Sequence, residues 1–187
     1  RIEGLHWIGV HYLYPDEIDE ELVEVLAEEP KIVKYLDIPI QHINDEILRR
    51  MNRRGNGAYI ETMLQTLRER IPGLVLRTSL ITGLPGEGET EFMQLCQFLK
   101  RAKLERVGAF PFSPEEGTPA ARMEHPDAET AQARAEIVEE LQSRMMDRYN
   151  ESLLGKTMEV LCDGYDPEED RYYGRTYADS PEIDGRV

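Results

Sequence analysis

Apolar residues along the first two thirds of the chain follow two alternating periods. Four short runs, Trp7–Leu13 (WIGVHYL), Tyr35–Ile40 (YLDIPI), Leu74–Thr82 (LVLRTSLIT) and Val107–Phe112 (VGAFPF), have the length and the β-branched and aromatic content of strands. The segments between them carry apolar residues at helical spacing. Ile18–Glu28 puts Ile18, Leu22, Val25 and Leu26 on one face. Tyr59–Arg70 does the same with Ile60, Met63, Leu64 and Leu67, and Pro72-Gly73 stops it. Glu87–Leu104 aligns Phe92, Leu95, Phe98 and Leu99. Between the second strand and the Tyr59 helix, Asn44 has the character of an N-cap, with Asp45 and Glu46 in the first turn. Ile43 and Leu48 are spaced for a hydrophobic staple.

Strands alternating with helices predict an α/β fold built from βαβ units with parallel strands. This pattern alone does not separate a doubly wound sheet from a barrel. In both, ligands gather at the C-terminal ends of the strands. That rule picks out Gln41 and His42, the Gly83–Gly86 turn, and Phe112 with Ser113.

The character changes after Ser113. SPEEGTPAARMEHP reads as a loop with Pro126 at the first helical position. A long helix follows, with Val138, Leu141, Met145, Tyr149 and Leu153 along one side and Gly155 at its end. The remainder predicts short strands at Met158–Cys162 and Tyr172–Tyr177 and a third starting near Ile183, with DGYDPEED as a hairpin connection. The expected division is an α/β unit over 1–125, a connecting helix over 126–154 and a small β unit over 155–187.

Composition narrows the class of partner. The chain has 187 residues, of which 22 are Lys or Arg and 37 are Asp or Glu, for a net charge of −15. Phosphate backbones are bound by clustered cations, so nucleic acid is disfavoured as the primary partner. From Leu153 to Val187, nine acidic residues face four basic ones. No apolar run approaches the roughly 20 residues of a membrane helix, and the N-terminus lacks the pattern of a signal peptide. Cys96 and Cys162 belong to no CxxC or CxxxCxxC group. They read as two buried thiols in a reducing cytosol, too few for an iron–sulfur cluster.

Several residues invite chemistry. The amide of Gln41, just past a buried strand, can both donate and accept. A single His after a strand, such as His42, is more often structural than catalytic. Arg77 inside an apolar strand needs either a carboxylate from the neighbouring strand, with Asp37 the candidate, or a ligand carboxylate. Arg49, Arg50, Arg53 and Arg54 in MNRRGNG either compensate a helix C-terminus or form a basic rim. LPGEGE lacks the GxxxxGK[ST] pattern of a phosphate loop. Glu115 and Glu116 read as solvated, and no Ser/His/Asp or Cys/His arrangement stands out.

Four ordered segments, YLDIPIQHINDEILRRMNRRG, LRTSLITGLPGEGETEF, SPEEGTPAARM and GRTYADSPEIDGRV, together resemble the radical S-adenosylmethionine methylthiotransferases. The resemblance implies part of a (β/α)₆ partial TIM-type barrel, followed by the start of a small TRAM-type β-barrel. It implies S-adenosyl-L-methionine and two [4Fe–4S] clusters as cofactors, one generating a 5′-deoxyadenosyl radical and one delivering sulfur. Within the family, Gln41-His42 and Glu115-Glu116-Gly117-Thr118 replace segments usual in the tRNA-modifying branch. PEIDG is similar to the branch that methylthiolates an aspartate of small-subunit ribosomal protein S-twelve. An acidic appendage suits that basic protein and repels tRNA.

By this resemblance Gln41, Arg77 and Thr78 contact S-adenosylmethionine, with His42, Arg53 and Ser113 as further contacts and Phe110 and Phe112 bordering the adenine. The cluster cysteines are expected upstream of Arg1. The chain alone is therefore expected to hold no metal and to be inactive, and a monomeric cytoplasmic protein is expected. A tRNA methylthiotransferase and a non-catalytic barrel-derived binding module are the alternative readings.

Overall fold

The computed structural model describes residues 2–187. Four strands form one parallel sheet in the order β1 (Ile8–Val10), β2 (Ile32–Asp37), β3 (Val75–Thr82) and β4 (Arg106–Pro111). Helices α1 (Glu20–Glu28), α2 (Asp45–Arg50), α3 (Gly57–Arg70) and α4 (Glu89–Ala102) lie in the crossovers, and α5 (Ala128–Leu153) follows β4. Strand order equals chain order, so the sheet has no topological switch point. That settles the ambiguity left by the sequence, because a doubly wound sheet reverses its order and a barrel wall does not.

Local signals account for most helix starts. Asn44 caps α2 by accepting from the amides of Glu46 and Ile47, Asn56 caps α3, and Asp127 caps α5. The long helix thus begins after Asp127, and Pro126 precedes its cap instead of opening it. Gly155 beyond its end takes φ 77°, a left-handed stop. On α1 the buried residues are Val23 and Leu26, whereas Val25 is exposed. The predicted apolar faces of α3 and α4 are buried in full.

The two faces of the sheet carry different residues. One set, including Leu36, Ile38, Leu76, Leu80 and Ala109, packs with α3 and α4 and with Ala135 and Val138 of α5 in the main core. Each buried Leu, Ile or Val side chain contributes roughly 1.5–3 kcal/mol. The other face is the inner wall of the barrel. There Tyr35 and Val75 form a second cluster with Ala178, flanked by Tyr149 and Tyr177.

Ala178 belongs to the C-terminal appendage, whose strands β5 (Leu161–Asp166) and β6 (Arg171–Arg175) form an antiparallel hairpin. β5 starts three residues later than predicted. The expected strand at Ile183 is a turn, with only Val187 exchanging two backbone hydrogen bonds with Gly174.

Candidate functional site

β2 and β3 set the geometry of the inner wall. Their pairing runs to Asp37↔Arg77 and resumes at Gln41↔Leu80. The offset falls from 40 to 39, so β2 holds one extra residue, as in a β-bulge. The Thr78 hydroxyl bridges the gap, donating to Ile38 O at 2.8 Å and accepting from Ile40 N at 3.1 Å. Thr78 therefore faces the helices, buried and fully paired, and not the inner wall where a ligand would lie. The bulge turns Gln41 to φ 68° and aims it inward.

Asp37, Arg77 and Ser79 follow one another along the inner wall. Arg77 Nη1 donates to Asp37 Oδ1 at 3.0 Å and approaches Ser79 Oγ at 3.4 Å. This is the strand-to-strand pair that the sequence offered. Asp37 Oδ2 is buried without a partner.

Above them, a cavity of about 210 Å³ is lined by Tyr12, Leu13, Tyr14, Pro39, Gln41, Arg53 and Ser79. The Arg53 guanidinium lies 4.9 Å from the Tyr14 ring centroid. A second cavity of about 330 Å³ has Ile81, Leu84, Phe112 and Met123 among its walls. Phe110, paired in register with Ile81, is 53% exposed. Phe112 packs edge-on against His125. Ser113 is exposed on the loop beyond.

His42 lies outside this group. Its ring is fully buried. Nδ1 accepts from Asn44 N at 3.0 Å, so the proton sits on Nε2 and is donated to Glu87 Oε2 at 3.1 Å. Glu87 Oε1 in turn accepts from Gly83 N and Arg134 Nη1, at 2.8 and 2.9 Å. Both ring nitrogens are occupied, so His42 fastens the end of β2 to the Gly83 turn and α5 and has none free for a ligand. Gly83 has φ 76°, and a Cβ there would overlap Ala131 of α5. The turn is glycine because the helix backbone passes against it.

The lower part of the inner wall is closed by the appendage. Tyr35 Oη donates to Asp184 Oδ2 at 2.6 Å. Arg106 Nη2 donates to Asp179 Oδ1 at 2.9 Å, and its Nε lies 3.7 Å from Asp184. Burial, reinforced by the bond to Asp184, pushes the Tyr35 phenol far above its ordinary value. Burial pushes the Tyr149 phenol up to about 12.

The two cysteines lie on different elements, α4 and β5. Cys96 packs in the main core on α4, where burial pushes its thiol up and away from the thiolate form that binds metal. Cys162, expected to be buried, is exposed on β5, because that strand has little packed against either face. Among the described residues no group of three or more His, Cys, Asp or Glu is placed to hold an ion.

Sequence reasoning missed Ser79, Tyr12 and Tyr14. Ser79 stands two residues past Arg77 on the same face of β3. The tyrosines follow β1 at the same end of the sheet as Gln41.

A parallel barrel wall with a polar site at its C-terminal strand ends defines the class. The match is to the Radical SAM superfamily over residues 2–99 and to the TRAM domain over residues 154–187. The chain belongs to the radical SAM superfamily. It is 46% identical over its whole length to the ribosomal protein uS12 methylthiotransferase RimO of Acetivibrio thermocellus, covering 41% of that protein. It is also 46% identical over its whole length to the RimO of Trichlorobacter lovleyi, covering 42%. The chain thus spans about two fifths of the length of these relatives. Its fold is shared with coproporphyrinogen III oxidase (HemN) from Escherichia coli, with a TM-score of 0.61 at 19% identity over 74% of this chain and 32% of that one. It is also shared with Methanocaldococcus infernus Elp3, with a TM-score of 0.56 at 13% identity over 91% of this chain and 53% of that one.

Proposed function

We propose that this chain is the barrel-and-appendage part of an enzyme that methylthiolates an aspartate of ribosomal protein uS12. The observation that carries this reading is the end-to-end 46% identity to RimO proteins, through both the barrel and the appendage. The acidic appendage supports a basic protein substrate over tRNA. No helix among the described residues is long and apolar enough to cross a membrane, in keeping with a cytosolic ribosomal target. The same reading divides the chain into the barrel (1–125), the long helix (126–154) and the TRAM-like unit (155–187).

The upper inner wall fits S-adenosylmethionine. Ile81 and Phe112 offer apolar faces for an adenine, with Phe110 beside Ile81 on the neighbouring strand. The Gln41 amide and Ser79 hydroxyl offer both donors and acceptors, and Arg53 offers a cation. In this reading Arg77, held by Asp37, borders the ligand from below, and Ser113 lies on the loop at the rim. Thr78 and His42 act indirectly, by fixing the bulge and the end of β2. S-adenosylmethionine on a reduced [4Fe–4S] cluster supplies the radical chemistry, with the cluster ligands coming from outside this chain. The residues here bind and orient it, and the appendage closes the lower wall so that ligand and target enter from above.

The test uses the full-length protein, reconstituted with iron and sulfide and given S-adenosylmethionine, a reductant and uS12. The expected product is uS12 heavier by one methylthio group on a single aspartate. Unmodified uS12 together with modified tRNA would overturn the reading.

A further inference from the structure

The parallel sheet ends in an open edge at β4. That strand is the last in the order, so one side of it pairs with β3 and the other with no strand among the described residues. Phe112 N donates to Thr82 O of β3 at 2.8 Å. Backbone groups alternate in direction along a strand. Arg106, Gly108 and Phe110 therefore also bond toward β3, whereas Val107, Ala109 and Pro111 direct their groups to the open side. Among the described residues the N–H and C=O groups of Val107 and Ala109 have no hydrogen-bond partner there. Pro111 has no N–H to leave unpaired, as befits an edge.

Only the start of that open side is answered from within the chain. Gln142 of α5 donates its Nε2 to Glu105 O at 2.7 Å. The Oε1 of the same amide is buried without a donor, and Arg106 Nε is buried without an acceptor. Gln142 is 7% exposed and Arg106 8%. Both border a cavity of about 260 Å³ that Val107, Gly108 and Asp184 also line. A buried acceptor and a buried donor thus meet in one cavity at the strand edge. A peptide group, which donates and accepts at once, is the complement of that pair.

Sheet edges are commonly shielded by charged side chains, bulges or a covering element. Val107-Gly108-Ala109 carries no charge, and its pairing with β3 runs without a bulge. We propose that the open edge of β4 takes an extended segment of the protein substrate as an added strand, with Gln142 Oε1 and Arg106 Nε holding one of its peptide groups at the lower end. Main-chain bonds give such strand addition its affinity. From Val107 to Pro111 the edge runs about 13 Å, room for about five residues. It leads upward past the exposed Phe110 to Phe112 of the 330 Å³ cavity. Carboxylates stand at both ends, Asp184 below and the exposed Glu115 and Glu116 on the loop above, which suits a basic segment. The added strand brings the target aspartate along the side of the sheet to the upper cavity. The inference rests on the functional reading above, in which the basic protein is uS12.

The test uses the full-length, cluster-loaded protein without reductant, so that no turnover contributes. Amide hydrogen exchange is read residue by residue with and without uS12. Val107 and Ala109 are expected to exchange about tenfold or more slower with uS12 bound. Gly108 and Phe110, already bonded to β3, are expected to change less. The second arm is Val107→Pro, which removes one edge donor and puts a ring in the path of the added strand. It is expected to weaken uS12 binding by about tenfold or more. Its S-adenosylmethionine binding, measured by calorimetry, is expected to stay within about twofold of the parent.

Unchanged exchange at Val107 and Ala109 when uS12 binds would overturn the inference while the functional reading stands. So would slow exchange at both residues before uS12 is added, because another part of the full-length protein then occupies the edge. Parent-like uS12 binding by Val107→Pro, at the parent's melting temperature, would overturn it as well. A parent protein that does not bind uS12 would overturn both the inference and the functional reading. If Val107→Pro does not fold, the exchange comparison on the parent decides alone.

Discussion

The upper and lower halves of the inner barrel wall are built from the same strands and have opposite characters. Below, side chains of the wall are tied to the appendage: Arg106 Nη2 to Asp179, and the Tyr35 hydroxyl to Asp184, with Arg106 Nε near Asp184 but without a hydrogen bond. Above, Arg53 has no carboxylate partner among the described residues, Phe110 is exposed, and Tyr12 and Gln41 have positive φ. The lower half is covered by the appendage, whereas the upper half is open and, in the proposed reading, receives the ligand. Strands that start alike reach these two ends because the appendage covers only one of them.

The comparison breaks most severely at Arg106. Arg106→Ala leaves Asp179 and Asp184 buried without their cation and should cost roughly 3–5 kcal/mol. Urea denaturation would read this as a lower midpoint, and a loss below about 1 kcal/mol would show that the floor is solvated. Glu87→Gln, which weakens the clamp on His42, Gly83 and Arg134, should cost about 2 kcal/mol. It should also loosen the Gly83–Gly86 turn, seen as faster amide exchange there.

Tyr35→Phe removes one bond to a buried carboxylate and should cost about 1–2 kcal/mol near neutral pH. It also carries a pH signature. The folded Tyr35 phenol lies above its ordinary value of 10.0, with burial as the main cause. Burial likewise raises Tyr149 and Tyr177, which flank the same cluster. A raised folded value means that the contribution is fully present below about pH 10 and is lost as pH rises toward that folded value. Urea midpoints at about pH 8 and about pH 11 should therefore diverge, and less so in Tyr35→Phe. The smallest expected effect on stability is at the upper rim, where Arg53→Gln should shift unfolding by no more than about 0.5 kcal/mol. A large loss there would show that the rim, like the floor, is structural.

Features decided within one turn or one strand pair were legible in the sequence. Asn44 as a cap needs only its own neighbours. The Arg77–Asp37 pair needs only adjacent strands and the physical demand that a buried cation be answered. His42 was harder, because its partner Glu87 is 45 residues away and arrives through the fold of α4 and α5. Thr78 was expected at the ligand, but it lies with Leu76 and Leu80 on the helix-facing side of β3, and one threonine between two leucines does not announce that its hydroxyl is taken up by the neighbouring strand. The bulge that gives Thr78 its structural task is invisible before strand pairing is known. The appendage strands shifted because β5 is largely exposed, which leaves alternation little to report. The barrel itself became certain only from strand order, which no local pattern contains.

The most direct measurement is hydrogen–deuterium exchange of the full-length protein with and without S-adenosylmethionine. The account expects protection at residues 10–14, 39–42, 52–54 and 79–82, and none at residues 176–187. Protection confined to 176–187, with the upper rim unchanged, would contradict the division between a closed floor and a ligand-binding rim.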